Sequence, residues 1–104
     1  MVYNARMATP LTPSEIESQL ADLPGWSYDA DASKITKTWK FHHFKEAMSF
    51  LVRVAFEAEA ANHHPEIFNV YSTVTLSLNT HDADGEVTQK DLDLAKAIAK
   101  FNWA

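Results

Sequence analysis

The stretch FKEAMSFLVRVAFEAEAANHHPEIFNVYSTVTLSL, residues 44–78, changes the period of its apolar residues once. Its first half repeats apolar side chains every three or four positions, which is typical of an amphipathic helix. Its last part alternates apolar residues with threonine and serine, which indicates a strand with one buried face. Pro65 separates the two patterns and disfavours helical backbone angles at His64. We therefore expect a helix over residues 44–62, followed by one long bent strand or two shorter ones.

The sequence on either side supplies the remaining elements. Residues 12–15 place a threonine before a proline and a glutamate three positions later, which predicts a capped helix start. Residues 88–91 repeat this arrangement near the C-terminus with an aspartate. Residues 26–28 and 35–41 are strand candidates that form a hairpin. The order α-β-β-α-β-β-α predicts an α+β two-layer sandwich, with an antiparallel sheet of about four strands and helices on one face.

The chain length favours a single domain. With 104 residues, one hydrophobic core is expected. Residues 1–10 show no periodicity and are expected to form a flexible arm, with the domain over residues 11–104. Met1 and Met7 are both possible native starts.

The composition excludes several classes of function. There is no cysteine, which excludes disulfides and thiolate chemistry. A formal charge of −5 and a pI near 5.4 argue against direct nucleic-acid binding. No apolar run is long enough for a membrane span, and the N-terminus lacks a signal-peptide core. We therefore expect a cytoplasmic protein without membrane contact.

A carboxylate and two histidines lie where the predicted long helix ends. Glu59 follows Ala55 by four positions, so it continues the apolar face of the helix, where a carboxylate needs a partner. His63 lies four positions further on and is within reach. We therefore expect Glu59 to pair with His63 and to fix the tautomer of its imidazole. The alternative is a frayed helix end that leaves Glu59 in water.

Three imidazoles are candidates for one pocket. His63 and His64 are adjacent and cannot both follow one helix face, so they are expected to point in different directions. His81 follows the predicted strand region. Such a set suits a reaction that needs an acid and a base near neutral pH. A polar loop that happens to contain histidines is the alternative.

A metal centre is the main competing interpretation of these histidines. Three histidines and a carboxylate match the ligands of zinc or non-haem iron. However, no His-x-His or His-x-x-x-His pair is present to supply ligands from one rigid element. His42 and His43 form a second pair, which we interpret as solvated residues at the start of the long helix. We therefore predict neither a metal nor a cofactor.

A spaced set of residues runs from the end of the long helix to the last one: Glu59, His63, His64, Pro65, Tyr71, His81 and Asp91. This pattern, with the phrase Phe68-Asn69-Val70-Tyr71, resembles the pterin-4a-carbinolamine dehydratase family. The resemblance extends over residues 20–101. Ile67 departs from it, because other members often carry tryptophan at this position.

The resemblance implies dehydration of a 4a-hydroxy-tetrahydropterin to the quinonoid dihydropterin, in tetrahydropterin recycling. It implies that His63, His64 and His81 are catalytic. His63, oriented by Glu59, is then the base near the pterin N5. His64 or His81 is the acid at the hydroxyl group.

The same resemblance implies supporting residues. Pro65, Tyr71 and Trp26 are expected at the substrate pocket, although Trp26 also suits the core. Asp91 belongs to the family pattern, but its position in the capping box explains it without chemistry.

The resemblance leaves a second class of function open. The family's fold is also associated with homo-oligomers that bind protein partners, including a homeodomain transcription factor in animals. We therefore expect a dimer or tetramer in either case. A non-catalytic coactivator or assembly factor is the alternative to the enzyme, and the three histidines favour the enzyme.

Overall fold

A computed structural model describes residues 9–101, in which three helices pack on one antiparallel sheet. The helices are α1 (Pro13–Leu20), α2 (Phe44–Ala61) and α3 (Gln89–Ala99). The strands are β1 (Ser27–Asp29), β2 (Lys34–Lys40), β3 (Glu66–Val70) and β4 (Thr73–Leu78). The α+β sandwich and its element order are confirmed. Most of the predicted N-terminal arm, with Met1 and Met7, lies outside the described residues.

The sheet has the strand order β1-β2-β4-β3, so β3 lies at an edge. The strand region that the sequence predicts after Pro65 consists of two antiparallel strands, β3 and β4. They are joined by a tight turn at Tyr71 and Ser72. Tyr71 has a φ of 52°, in the left-handed region that such a reversal requires. Alternation along one continuous strand predicts that Val70 shares the buried face of Val74. The turn instead pairs Val70 with Thr73, which places its side chain on the outer face of the sheet, where it is 58% exposed.

The core lies between the inner face of the sheet and the helices. Phe50 of α2 is fully buried and contacts Trp39 and Phe41, with ring centroids 4.7 and 5.1 Å apart. Trp26 is also buried and lies edge-on to Trp39 at 5.7 Å. Tilted and edge-on aromatic pairs of this kind add to the stabilisation from burial. This cluster fixes α2 on the sheet and therefore fixes the end of α2 as well.

The starts of α1 and α3 follow the predicted capping pattern, and α2 begins with a cap that was not predicted. The side chain of Thr12 accepts a hydrogen bond from the backbone N–H of Glu15 at 3.1 Å, and the Glu15 carboxylate accepts one from the backbone of Thr12 at 2.9 Å. At α2, the N-cap is His43, whose Nδ1 accepts from the backbone N–H of Glu46 at 3.3 Å. The backbone N–H of His42 holds the pKa of Glu46 below its ordinary value. The exposed pair His42-His43 thus begins this helix.

Within residues 9–101, no helix has both the length and the apolar character needed to cross a membrane.

Candidate functional site

The C-terminus of α2 separates the two adjacent histidines. Asn62 adopts the left-handed conformation (φ 49°, ψ 45°), which asparagine tolerates better than most residues. Its N–H bonds the carbonyl of Glu59 at 3.1 Å, and the N–H of His63 bonds that of Ala58 at 3.0 Å. These two bonds form a Schellman motif, which satisfies the last carbonyls of the helix. The chain therefore leaves the helix axis here, and His63 turns inward while His64 stays at the surface.

His63 is anchored on a buried carboxylate. The residue is 7% exposed, and its Nε2 is hydrogen-bonded to Oδ1 of Asp91, which is completely buried. The other oxygen of Asp91 accepts from the hydroxyl of Thr80 at 2.8 Å and from the backbone N–H of Thr88 at 2.9 Å. A buried carboxylate requires partners of this number, because it has lost its hydration. Asp91 therefore both caps α3 and orients the imidazole of His63.

The predicted pairing of Glu59 with His63 is wrong. Glu59 Oε1 is 2.8 Å from Nε2 of His64, and the Glu59 side chain is 78% exposed. The buried positions of α2 are Ala47, Phe50, Val54 and Ala58. The buried face thus passes through Ala58, and Glu59 falls one position beyond it. The carboxylate that supports His63 comes instead from α3, 28 residues later.

His81 begins a tight loop after β4. It is the first residue of a short 3₁₀ turn, His81–Ala83. The loop is closed by a bridge between Thr80 and Glu86, in which the N–H of Thr80 bonds the carbonyl of Glu86 at 2.9 Å. Asp84 and Gly85 both take positive φ angles within it. Since the His81 imidazole makes no hydrogen bond to any residue in the described range, it is available to a ligand.

These segments line an open polar cavity of about 270 Å³. This volume is close to the lower end of the range for small-molecule sites, about 300 Å³. The cavity is lined by Asn62, His63, His64, Asn79, Thr80, His81, Asp82 and Lys90. The structure thus brings together the three histidines that the sequence singled out. Each imidazole has a different environment. That of His63 is buried against the Asp91 carboxylate, that of His64 is exposed beside Glu59, and that of His81 is exposed without a hydrogen-bond partner in the described range.

The other predicted site residues lie outside the lining of this cavity. Trp26 is in the aromatic core, which corrects its assignment to the substrate pocket. Tyr71 is at the far end of β3, at the turn, and is 64% exposed. Pro65 redirects the chain between His64 and β3. Asp91 acts behind His63 rather than in the cavity.

The sequence did not single out five lining residues, which are Asn62, Asn79, Thr80, Asp82 and Lys90. Four of them are direct sequence neighbours of residues that it did single out, and Asp82 is the one that follows His81. Asn62 precedes His63, and Asn before a turn is a common helix terminator. Thr80 precedes His81, and Lys90 precedes Asp91. Within the described range, no group of three or more histidine, aspartate or glutamate side chains is arranged to hold a metal ion.

The separate roles of the two carboxylates give a first prediction. Changing Glu59 to glutamine is expected to leave the melting temperature nearly unaltered, because a solvent-exposed pair of this kind contributes about 0–1 kcal/mol. The glutamine can still accept a hydrogen bond from His64. The measurement is the thermal melting of Glu59→Gln beside the wild type. A loss above about 2 kcal/mol, which is typical of a buried pair, would mean that Glu59 supports the fold from the interior.

The chain is similar to known proteins over most of its length. Residues 9–101 match the family model described as pterin 4 alpha carbinolamine dehydratase. A protein of Opitutus terrae, provisionally named pterin-4-alpha-carbinolamine dehydratase, is 54% identical over 97 residues, which are 93% of this chain and 98% of that protein. A similarly named protein of Rhizobium leguminosarum is 51% identical and covers 86% of this chain and 88% of its own length.

Solved structures show the same fold. A transcriptional coactivator/pterin dehydratase from Brucella melitensis is 37% identical, with a TM-score of 0.81 over 86% of this chain and 95% of that one. A pterin dehydratase-like protein described as a RuBisCO assembly factor of the alpha-carboxysome is 20% identical, with a TM-score of 0.57 over 75% of this chain and 93% of that one. At that identity the second likeness concerns the fold alone.

Proposed function

The chain belongs to the pterin 4 alpha carbinolamine dehydratase family, and from this premise we propose that it dehydrates a 4a-hydroxy-tetrahydropterin. The observation that carries the proposal is the convergence of His63, His64 and His81 on one cavity, with His63 held by the buried Asp91. A binding protein without catalysis has no need for three imidazoles at one cavity.

The reaction needs one proton donor and one proton acceptor. The bond between C4a and the hydroxyl oxygen breaks as that oxygen takes a proton and leaves as water. The proton on N5 passes to a base, and the electron pair of the N–H bond forms the C4a=N5 double bond of the quinonoid dihydropterin. No electrons enter or leave, so the step balances with acid–base groups alone. Groups of this kind contribute typically about 10²–10⁴-fold to a rate.

His63 suits the acceptor role. Its Nε2 is engaged by Asp91, and a carboxylate can only accept, so the ring proton resides on Nε2. In the neutral ring, Nδ1 then carries the free lone pair and can take the N5 proton. A ring that is held in one tautomer loses little freedom when the substrate binds.

The donor is a second histidine of the cavity. His64 is paired with Glu59 at the surface, while His81 stands on the loop that follows β4. Both are exposed and both line the cavity, so each is a candidate donor to the leaving hydroxyl group. A comparison of His64→Gln with His81→Gln assigns the role to the variant with the larger loss.

The test of this function is a stopped-flow measurement of dehydration, with the 4a-hydroxy-tetrahydropterin made freshly by a pterin-dependent hydroxylase. The wild-type protein is expected to accelerate the decay of the substrate by about 10²–10⁴-fold over the spontaneous reaction. A time course that is identical with and without the protein would sink the proposal.

Self-association is a further part of this proposal, supported by the exposed edge of the sheet. β3 is paired only with β4, and it carries Ile67, Phe68 and Val70, each more than half exposed. An apolar edge strand with free backbone groups is a template for pairing with another chain. Since the edge can face itself across a two-fold axis, we expect a second copy of this chain to bind there.

The mass in solution tests the association. Phe68→Lys is expected to shift the protein towards the monomer in analytical ultracentrifugation, because a charged side chain blocks pairing at the edge. Phe56→Lys is the matched control, since Phe56 is 71% exposed but lies on α2. A wild-type protein that is monomeric at all concentrations would contradict the proposed association. If only the Phe56→Lys variant had a lower mass in solution than the wild type, the contact between subunits would lie on α2.

The non-catalytic alternative keeps one supporting observation. α2 exposes Val52 and Phe56, one helical turn apart, by 57% and 71%. An apolar pair on an outer helix face is suited to binding another protein. The stopped-flow test separates the two functions, because a module that only binds does not accelerate dehydration.

A further inference from the structure

Two buried hydroxyl groups are linked to the Asp91 carboxylate and have no part in the proposed reaction. Thr80 is 1% exposed and Thr88 is completely buried. Their hydroxyl oxygens are 2.7 Å apart, and that of Thr80 also donates to Oδ2 of Asp91 at 2.8 Å. The hydroxyl of Thr88 accepts from the backbone N–H of Lys90 at 3.2 Å. Buried hydroxyl groups must have such partners, but nothing about packing alone requires that they be linked to each other and to Asp91.

The direction of each bond in this chain is fixed by the number of available protons. A hydroxyl group has one proton. The proton of Thr80 is committed to Asp91, so the contact between the two threonines must use the proton of Thr88. The lone pairs of Thr88 accept from the backbone of Lys90. The bonds therefore all run the same way, from the start of α3 through both hydroxyl groups to the carboxylate.

Hydrogen bonds that are aligned in one direction strengthen one another in a site of low dielectric constant. The chain ends on the carboxylate that holds His63. We propose that Thr80 is a positioning residue, whose hydroxyl, backed by Thr88, holds the Asp91 carboxylate so that His63 keeps its proton on Nε2 and its lone pair on Nδ1. The link to the reaction depends on the proposed function of His63 as the base, whereas the tautomer itself can be measured without substrate.

The backbone of Thr80 makes hydrogen bonds that are independent of its hydroxyl group, so the hydroxyl can be removed by substitution without losing them. Its N–H bonds Glu86, and its carbonyl accepts from Ala83 and Gly85, each at 2.9–3.0 Å, to close the loop that carries His81. None of these bonds uses the hydroxyl group. Thr80→Val has nearly the same shape and can keep all of them while removing the donor to Asp91. Thr80→Ser keeps the donor and is the matched control.

Thr88→Val distinguishes an effect on protein stability from an effect on the orientation of His63. Thr88 is the N-cap of α3, so this variant loses the cap and is expected to melt at a lower temperature than Thr80→Val. However, Asp91 still receives the hydroxyl proton of Thr80 in Thr88→Val. A purely structural role predicts that activity falls in the order of stability. The proposed role predicts the opposite order, with Thr80→Val the slower of the two.

The experiment is nitrogen-15 NMR of the histidine rings in the full chain, with stopped-flow dehydration of the same samples. In the wild type, His63 is expected to show a protonated Nε2 and an unprotonated Nδ1 at neutral pH. In Thr80→Val, we expect mixed tautomers and about a tenfold loss of rate, which is the lower end of the usual effect of removing a supporting hydrogen bond. Thr80→Ser is expected to restore both.

A wild-type His63 that carries its proton on Nδ1 would overturn the proposal without any variant, even if Thr80→Val failed to fold. Wild-type tautomers and rate in a folded Thr80→Val, or no restoration by serine, would also overturn it. If the wild type did not catalyse dehydration, the proposed function would fail, while the ring spectra of the wild type and the variants would still decide the positioning role.

Discussion

Replacing His63 with glutamine is expected to slow dehydration by about 10²–10⁴-fold, the usual contribution of a general base, while the protein stays folded. The glutamine side chain can place an N–H group near the position of the imidazole Nε2 and can donate it to Asp91. The buried carboxylate therefore keeps a partner, and the cost of leaving a buried charge unpaired is avoided. The lone pair of Nδ1, however, has no counterpart in glutamine. The variant removes the proton acceptor and little else.

The measurement is the stopped-flow rate at saturating substrate, with the melting temperature of each sample. His42→Gln is the matched control, because His42 is exposed at the start of α2 and takes no part in the cavity. We expect this control to have the wild-type rate. A folded His63→Gln protein that dehydrates the substrate at the wild-type rate would contradict the assignment of His63 as the base. The role would then pass to His64 or His81.

The fold could be predicted from the sequence because its signals are local. The capping boxes at Thr12 and Thr88, the change of apolar period near Pro65 and the hairpin pattern before α2 each depend on neighbouring residues. Local signals survive in the folded chain when packing agrees with them. The misplaced burial of Val70 has a different origin. Alternation shows that a strand has two faces, but not that the chain reverses at residues 71 and 72, which pairs Val70 with Thr73 and places it on the outer face.

The site could be predicted only in part, because its decisive contact is not local. Helical spacing predicts that Glu59 supports His63. This prediction is wrong because the buried face of α2 passes through Ala58, and Glu59 lies one position further along the helix. Asp91 was explained by its capping box alone, which is correct as far as it goes. One of its oxygens accepts from the N-cap backbone, but the other is bound to His63 from a distant part of the chain. A residue that is fully explained by one local role can still have a second role.

Because Asp91 has these two roles, Asp91→Asn is more informative than His63→Gln. The asparagine in this variant can still accept the N–H of Thr88 and so preserve much of the cap of α3. Its amide group, however, has two protons where the carboxylate had a second acceptor. With the asparagine oxygen at the Oδ2 position, where Thr80 and Thr88 donate, the Nε2–H of His63 meets a donor. The simplest relief is for the ring of His63 to move its proton to Nδ1, which removes the lone pair from the cavity.

We therefore expect Asp91→Asn to lower the dehydration rate by about 10²-fold or more, because the orienting carboxylate sets the tautomer of the base. We also expect a loss of about 1–3 kcal/mol in unfolding free energy, the cost of an unsatisfied buried polar group. For a domain of this size, that loss lowers the melting temperature by roughly 5–20 °C. Rates should be compared well below the melting transition of the variant.

Asp93→Asn makes the same exchange two residues later in α3, where the carboxylate is exposed and accepts from Gln89 at 2.9 Å. We expect it to keep the wild-type rate and to change stability by less than about 1 kcal/mol. If Asp91→Asn matched this control in both rate and stability, Asp91 would be no more than a helix cap. If it lost stability but kept the rate and the ring tautomer of His63, the carboxylate would support the fold without orienting the base. A loss of rate with a ring proton on Nδ1 is the outcome that links the start of α3 to the chemistry of the cavity.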